Sequence, residues 1–289
     1  MNSVETAPSP KISVFTPMCR DIGMEKYQVE GLVSQTFKDY EWVIVDDLHE
    51  QRKGLLAELI KDKFSYCHIP PKEVKPYFAT AAAHNLALTY ARGEIIYFMC
   101  DYVVPLPNCL ERHWQIHQKY PQAIISGRGI QIDSTPDILL MNKGVYPARD
   151  YRMWLFFETP LFNKKQLEPD LFQADRLGVQ NWWAGRNDSC PLDPILACNG
   201  FDERFDGRWG GQDAELAQRL LTYGLIYLLD TQSVVMEFKH ETGSKPAIRT
   251  EEEQQMMQYT IINPRVKRNI YMSGLDRNIR EERRKCLNL

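Results

Sequence analysis

ATAAAHNLALTYARGEIIYFMCDY, residues 79–102, changes its period in the middle. The Ala-rich part, 79–93, reads as a helix with Gly93 as its C-terminal cap. EIIYFM (94–99) reads as a buried strand, and it runs out into Cys100-Asp101-Tyr102 before a Pro-marked loop. A helix feeding a buried strand is half of a βαβ unit, so the neighbours should alternate in the same way. They do. Upstream, KISVFTP (11–17), EWVIVDD (41–47) and FSYCHI (64–69) are strand-like. Between them, 24–35 carries Val29, Leu32 and Val33 at helical spacing, and 51–61 places Leu55, Leu56, Leu59 and Ile60 on one face. Downstream, 107–119 reads as a helix and QAIISG (122–127) as a further strand. The expected fold is α/β, with a mostly parallel central sheet and helices on both faces. Ligands on such sheets sit beyond the carboxyl ends of the strands. Three strands end there in chemically notable groups, at Pro17 to Arg20, at Asp46 and Asp47, and at Cys100 to Tyr102.

The regularity fades over 128–195. Six prolines (136, 147, 160, 169, 191 and 194) and Trp154, Trp182 and Trp183 mark a loop-rich insertion lining a site. Order returns at GGQDAELAQRLLTYG (210–224), a helix with Leu216, Leu220 and Tyr223 inward and Gly224 as cap. LIYLL (225–229) and SVVMEF (233–238) read as two strands, and the tail from 249 as charged and helical in pattern.

Composition narrows the class. The 289 residues are 44% hydrophobic and 25% charged, which is ordinary for a globular protein. A net charge of −3 supplies no global field for nucleic acid. Seven cysteines without a C-x-x-C pair suggest reduced thiols. The polar start MNSVETAPSPK has no apolar signal core, and no apolar run is long enough for a membrane span. The expectation is a cytoplasmic protein without a membrane span.

Three segments together resemble family 2 glycosyltransferases of the GT-A fold. They are VFTPMCR through VEGLVSQTFKDYEWVIVDD, AAAHNLALTYARGEIIYFMCDYVVPLPNCLE, and CNGFDERFDGRWGGQDAELAQRLLTYG. The third, with the later FKHE, looks like the galactosyltransferase type, whose motif is Trp-Gly-Gly-Glu-Asp. The resemblance implies inverting transfer of a hexose from a nucleotide-sugar, usually UDP-linked, to a hydroxyl on a glycan or other polymer. It also implies bound Mn2+ or Mg2+. The implied organisation is a flexible segment 1–10, a GT-A domain 11–243 and a charged helical extension 244–289. Within the domain, 11–127 would bind the nucleotide-sugar and 128–243 the acceptor.

The same resemblance suggests roles for particular residues. Asp46 and Asp47, with Asp47 favoured, would accept hydrogen bonds from uracil or ribose. Pro17, Arg20, His84 and Asp101 would complete the nucleotide site. Trp209, Gly210, Gly211 and Gln212 would face the acceptor, and Asp213 would be the general base. By itself Asp213 reads better as a helix cap, and it is the resemblance that makes it the base. The family's paired acids are here Cys100 and Tyr102, poor ligands for a hard cation. A metal would then fall to Asp101 with Glu237 and His240, and a metal-independent site using Arg or Lys is the other option. Loss of the outer acids also raises the rival reading, a catalytically inactive GT-A-like module that binds a nucleotide or glycan.

Overall fold

The computed structural model describes residues 9–132, 164–175, 185–207, 210–238, 247–248, 250–253 and 278–287. Four strands, β1 (Ile12–Met18), β2 (Tyr40–Asp46), β3 (Ser65–Ile69) and β4 (Ile95–Phe98), lie in the order β3-β2-β1-β4, all parallel. The crossovers are α1 (Glu25–Val33), α2 (His49–Ile60) and α3 (Thr80–Tyr90). Both faces of β1, β2 and β4 are largely buried because both are covered, whereas β3 is the exposed edge. On β2, Trp42 and Ile44 join a core with Val29, Leu32, Leu56 and Ile60 of α1 and α2. Val43 and Val45 point the other way, into a core with Ala81 and Leu88 of α3. Leu55 and Val33, read as inward, are 47% and 40% exposed, so the buried stripes are narrower than the apolar runs.

The chain continues through β5 (Val103–Pro105), α4 (Cys109–Lys119), β6 (Ala123–Ile132), the hairpin β7 (Lys164–Glu168) and β8 (Leu171–Ala174), and β9 (Asp188–Pro191). Then come α5 (Leu192–Ala197), α6 (Gln212–Tyr223), β10 (Ile226–Phe238) and α7 (Ile279–Leu287). One sheet results, in the order β3-β2-β1-β4-β9-β6-β10-β8-β7, with β5 on β10. Its second half is mixed. β9 runs antiparallel between β4 and β6, and that direction brings the residues just before it to the carboxyl end of β4.

Several expectations change here. The stretch 128–195 is not all loop, since it holds the end of β6, all of β7, β8 and β9, and the start of α5. Its tryptophans, like residues 1–8 and most of the tail, lie outside the described residues. LIYLL and SVVMEF are one strand, whose register on β6 shifts between Leu229 and Val234. Leu216 and Leu220 are fully buried, but Tyr223 is 42% exposed because the last turn of α6 is exposed from Thr222. Gly224 does cap that helix, at φ 117°, with its N–H on the carbonyls of Leu220 and Leu221. Gly93 does not cap α3, which ends at Ala91 in an extended conformation. Gly93 is required for a different reason, since a Cβ there would lie 2.4 Å from the backbone nitrogen of Ser13.

Candidate functional site

A cleft of ≈ 550 Å³, solvent space included, opens at the carboxyl ends of β1, β2 and β4. Pro17, Arg20, Asp47, Thr80, Asp101 and Tyr102 are among the residues that line it. The acids ending β2 part company here. Asp46 is fully buried, and its carboxylate accepts from Arg52 Nη1 at 2.7 Å and from the Leu48 N–H at 2.8 Å, with His68 Nε2 at 3.0 Å. Arg52 also pairs with Glu25 at 2.6 Å and donates to the Arg20 carbonyl. Asp46 therefore braces the loop from inside, whereas Asp47 faces the cleft.

His84 is not among the cleft-lining residues. Its ring packs 4.3 Å from Phe201 and 4.7 Å from Phe15, and Nδ1 lies 2.6 Å from the Thr80 carbonyl. Burial lowers its pKa to about 4, so it is neutral and donates that bond.

The Cys100-Asp101-Tyr102 element is held on all sides. Asp101 accepts from the backbone N–H groups of Cys19 and Arg20, each at 3.2 Å, and from Arg20 Nη1 at 2.5 Å. The Arg20 guanidinium lies 5.4 Å from the centre of the Tyr102 ring and 5.9 Å from that of Phe78. Cys100 donates its thiol proton to the Gly185 carbonyl at 3.2 Å, and Gln28 of α1 donates to the Cys100 carbonyl at 2.9 Å. Burial, then the charge of Asp101, pushes the Cys100 thiol up to about 12, and burial drives the Tyr102 phenol well above its usual value. Neither is an anionic ligand at neutral pH.

On the far side of this element stands Arg186, two residues before β9. Its Nη1 donates to Glu237 at 2.7 Å, and its backbone N–H to Asp188 at 3.0 Å. Glu237 reaches it from β10 across Gly129, where a Cβ would overlap the Glu237 carboxylate. Asn187 fixes the start of β9 from behind, bonded to Tyr97 at 2.9 Å and His113 at 3.0 Å. Arg186 escaped the sequence reading. It sits in a stretch read as irregular, and only the antiparallel course of β9 brings it near Cys100 at the end of β4.

Asp213 opens α6. Gly210 and Gly211 precede it at φ 100° and 96°, a left-handed turn that other residues rarely adopt. The turn presents Asp213 half-buried in the first turn of the helix. Burial, then the nearby charge of Asp188, raises its carboxyl to about 6, against the pull of its own N–H, that of Ala214, and Arg186. Gln212 is buried beside it, at 7% exposure. Trp209 and His240 lie outside the described residues.

The donor set does not fit a divalent cation among the described residues. Asp101 is engaged by one guanidinium and Glu237 by another, and no cluster of three His, Cys, Asp or Glu side chains brings ligands together there. No helix among the described residues is long and apolar enough to cross a membrane.

Residues 13–178 match the family model described as glycosyl transferase family 2. Among curated proteins, the chain is 23% identical over 247 residues to a validoxylamine A glucosyltransferase of Streptomyces hygroscopicus subsp. jinggangensis (strain 5008), covering 82% of this chain and 57% of that protein. The chain thus spans little more than half of that relative. Among solved structures it resembles S. aureus TarS 1-349 in complex with UDP-GlcNAc, with TM-score 0.60, 12% identity, and coverage of 88% of this chain and 72% of that one. It also resembles GalNAc-T7 with UDP, GalNAc and Mn2+, with TM-score 0.62, 13% identity, and coverage of 87% and 50%. The mannosyltransferase PcManGT from Pyrobaculum calidifontis, in complex with GDP-Man and Mn2+, matches with TM-score 0.55, 16% identity, and coverage of 83% and 61%. At such identities the likeness is one of fold, and the fold is GT-A.

Proposed function

The chain belongs to glycosyl transferase family 2, and on that premise we propose that it moves a hexosyl group from a UDP-sugar to a hydroxyl acceptor with inversion. Asp213 is the general base in this reading. As the acceptor oxygen attacks the anomeric carbon, its proton passes to the Asp213 carboxylate. The bond from that carbon to the diphosphate oxygen breaks on the opposite face, and its electron pair leaves with UDP. Asp47 and Pro17 line the pocket for the nucleoside, and Asp101 positions Arg20 beside the diphosphate. Residues 11–127 serve the donor and 128–243 the acceptor, a glycan or other polymer met by Gly210, Gly211, Gln212 and Trp209, with 244–289 as an extension.

The observation that carries this reading is Asp213 itself. A group tuned to about 6 is mostly ionised at neutral pH yet basic enough to take a proton. A helix cap needs neither the burial nor the upward shift. UDP as donor is supported by two of the three structural relatives, which are complexes with UDP or UDP-GlcNAc, while the third is a complex with GDP-Man. The rival, an inactive nucleotide- or glycan-binding module, rests on Cys100 and Tyr102 standing where the family has acids.

Thermal shift with nucleotides tests the donor site. UDP at ~100 times its Kd adds about 2.7 kcal/mol to stability. Asp47→Ala abolishes most of that gain. Stabilisation by GDP or CDP and not by UDP would defeat the uracil assignment.

A further inference from the structure

Taking the proposed donor site as its basis, we infer that two fixed arginines, Arg20 and Arg186, hold the nucleoside diphosphate in place of a divalent metal. The geometry of the donor path comes first. The nucleoside lies by Asp47 and the reacting carbon by Asp213, so the diphosphate between them must cross Cys100-Asp101-Tyr102. Arg20 lines the cleft on one side of that element. Arg186 approaches from the start of β9, next to Gly185, whose carbonyl accepts the Cys100 thiol at 3.2 Å, and its guanidinium pairs with Glu237, which lies opposite Val103 in the sheet.

The ion pairs favour the arginines. Asp101 is paired to Arg20 and Glu237 to Arg186, so both candidate carboxylates are engaged before any ligand arrives. A cation entering there must break both ion pairs and then sit beside two displaced positive charges. A diphosphate meets the opposite situation. Each guanidinium has five N–H donors, and one carboxylate does not use them all. Arg20 is only 10% exposed, and its buried Nε–H finds no acceptor among the described residues. Its plane lies by the rings of Phe78 and Tyr102, and its carboxylate partner is itself fixed by two backbone N–H groups. Such pre-organisation suits a planar cation that must stabilise charge developing on a leaving group.

Calorimetric titration of the full chain with UDP, in EDTA and in Mn2+, tests the inference. UDP binds in EDTA, and Mn2+ changes its Kd less than about two-fold. Arg186→Gln weakens UDP about ten-fold or more, the loss expected for a charge-assisted hydrogen bond, and leaves uridine unchanged. Glu237→Gln keeps the side chain's shape, so it reports even if Arg186→Gln unfolds. It removes a negative charge beside the diphosphate and tightens UDP, whereas loss of a metal ligand would weaken it. UDP binding that requires Mn2+ and is weakened by Glu237→Gln would overturn the arginine assignment and leave the donor reading standing. No binding of UDP, GDP, CDP, ADP or dTDP, with or without Mn2+, would overturn both.

Discussion

At the residue scale, Asp213 carries two linked predictions. The proposed general base acts in its ionised form, so kcat/KM is expected to rise with pH through an apparent pKa of about 6 and level off above it. Asp213→Asn removes that limb together with most of the activity. The same shift has a cost in stability. A carboxyl whose folded pKa lies above its unfolded value binds protons more tightly when folded. Stability is therefore lost as pH rises from about 4 through about 6 and stays lost above. Asp213→Asn removes that penalty, worth at most about 3 kcal/mol. Its Tm should exceed wild type at pH 7 to 8, and the two should converge at pH 3.5. A Tm that is unchanged or lower at neutral pH would mean that the carboxylate chiefly caps α6. Asp47 is expected to behave differently, because the proposed function assigns it to the nucleotide and not the acceptor. Its loss appears in donor affinity.

At the element scale, the glycines separate packing from conformation. Gly93→Ala drives a methyl into the β1 backbone and should cost about 1–3 kcal/mol in denaturant unfolding. Gly224→Ala meets nothing within 4 Å, so it bears only the strain of φ 117°, about 1 kcal/mol. Equal losses at the two sites would contradict this division. The parallel half of the fold was legible because its strands are continuous apolar runs and its helices carry apolar stripes. Gly224 was legible as a cap, since it follows a clear amphipathic pattern. Gly93 was misread because close approach between elements leaves no local signature. β10 was split in two because Asp230-Thr231-Gln232 interrupts the apolar run where the ladder shifts register. β7 and β8 were invisible for a simpler reason. KKQLE is half exposed and has no buried period to read. In the candidate site, Asp213, Asp47 and Asp101 were singled out by the family resemblance together with their places at element ends. Asp46 was paired with Asp47, the latter favoured, and only the fold brings Arg52 and His68 around Asp46. The arginine partners were not legible, because Arg20–Asp101 and Arg186–Glu237 join segments 81 and 51 residues apart.

At the scale of the whole molecule, the C-terminal helix belongs to the core. Ile279 is fully buried, in the same cluster as residues of α3, and Asn199 accepts from its N–H at 3.0 Å. Ile279→Ala should cost about 2–5 kcal/mol, which a urea melt would register as a lower midpoint. An unchanged midpoint would show that α7 is a detachable appendage. The proposed function rests on one arrangement, a base at Asp213 against a donor held at Asp47 and the arginines. The most direct test is slow hydrolysis of a panel of UDP-sugars, with water as acceptor, by wild type and Asp213→Asn. The account predicts UDP release by wild type and a fall of at least ~10²-fold in the variant, with UDP affinity little changed. Near-normal turnover by a folded, UDP-binding Asp213→Asn protein, or no turnover of any donor that wild type binds, would contradict it.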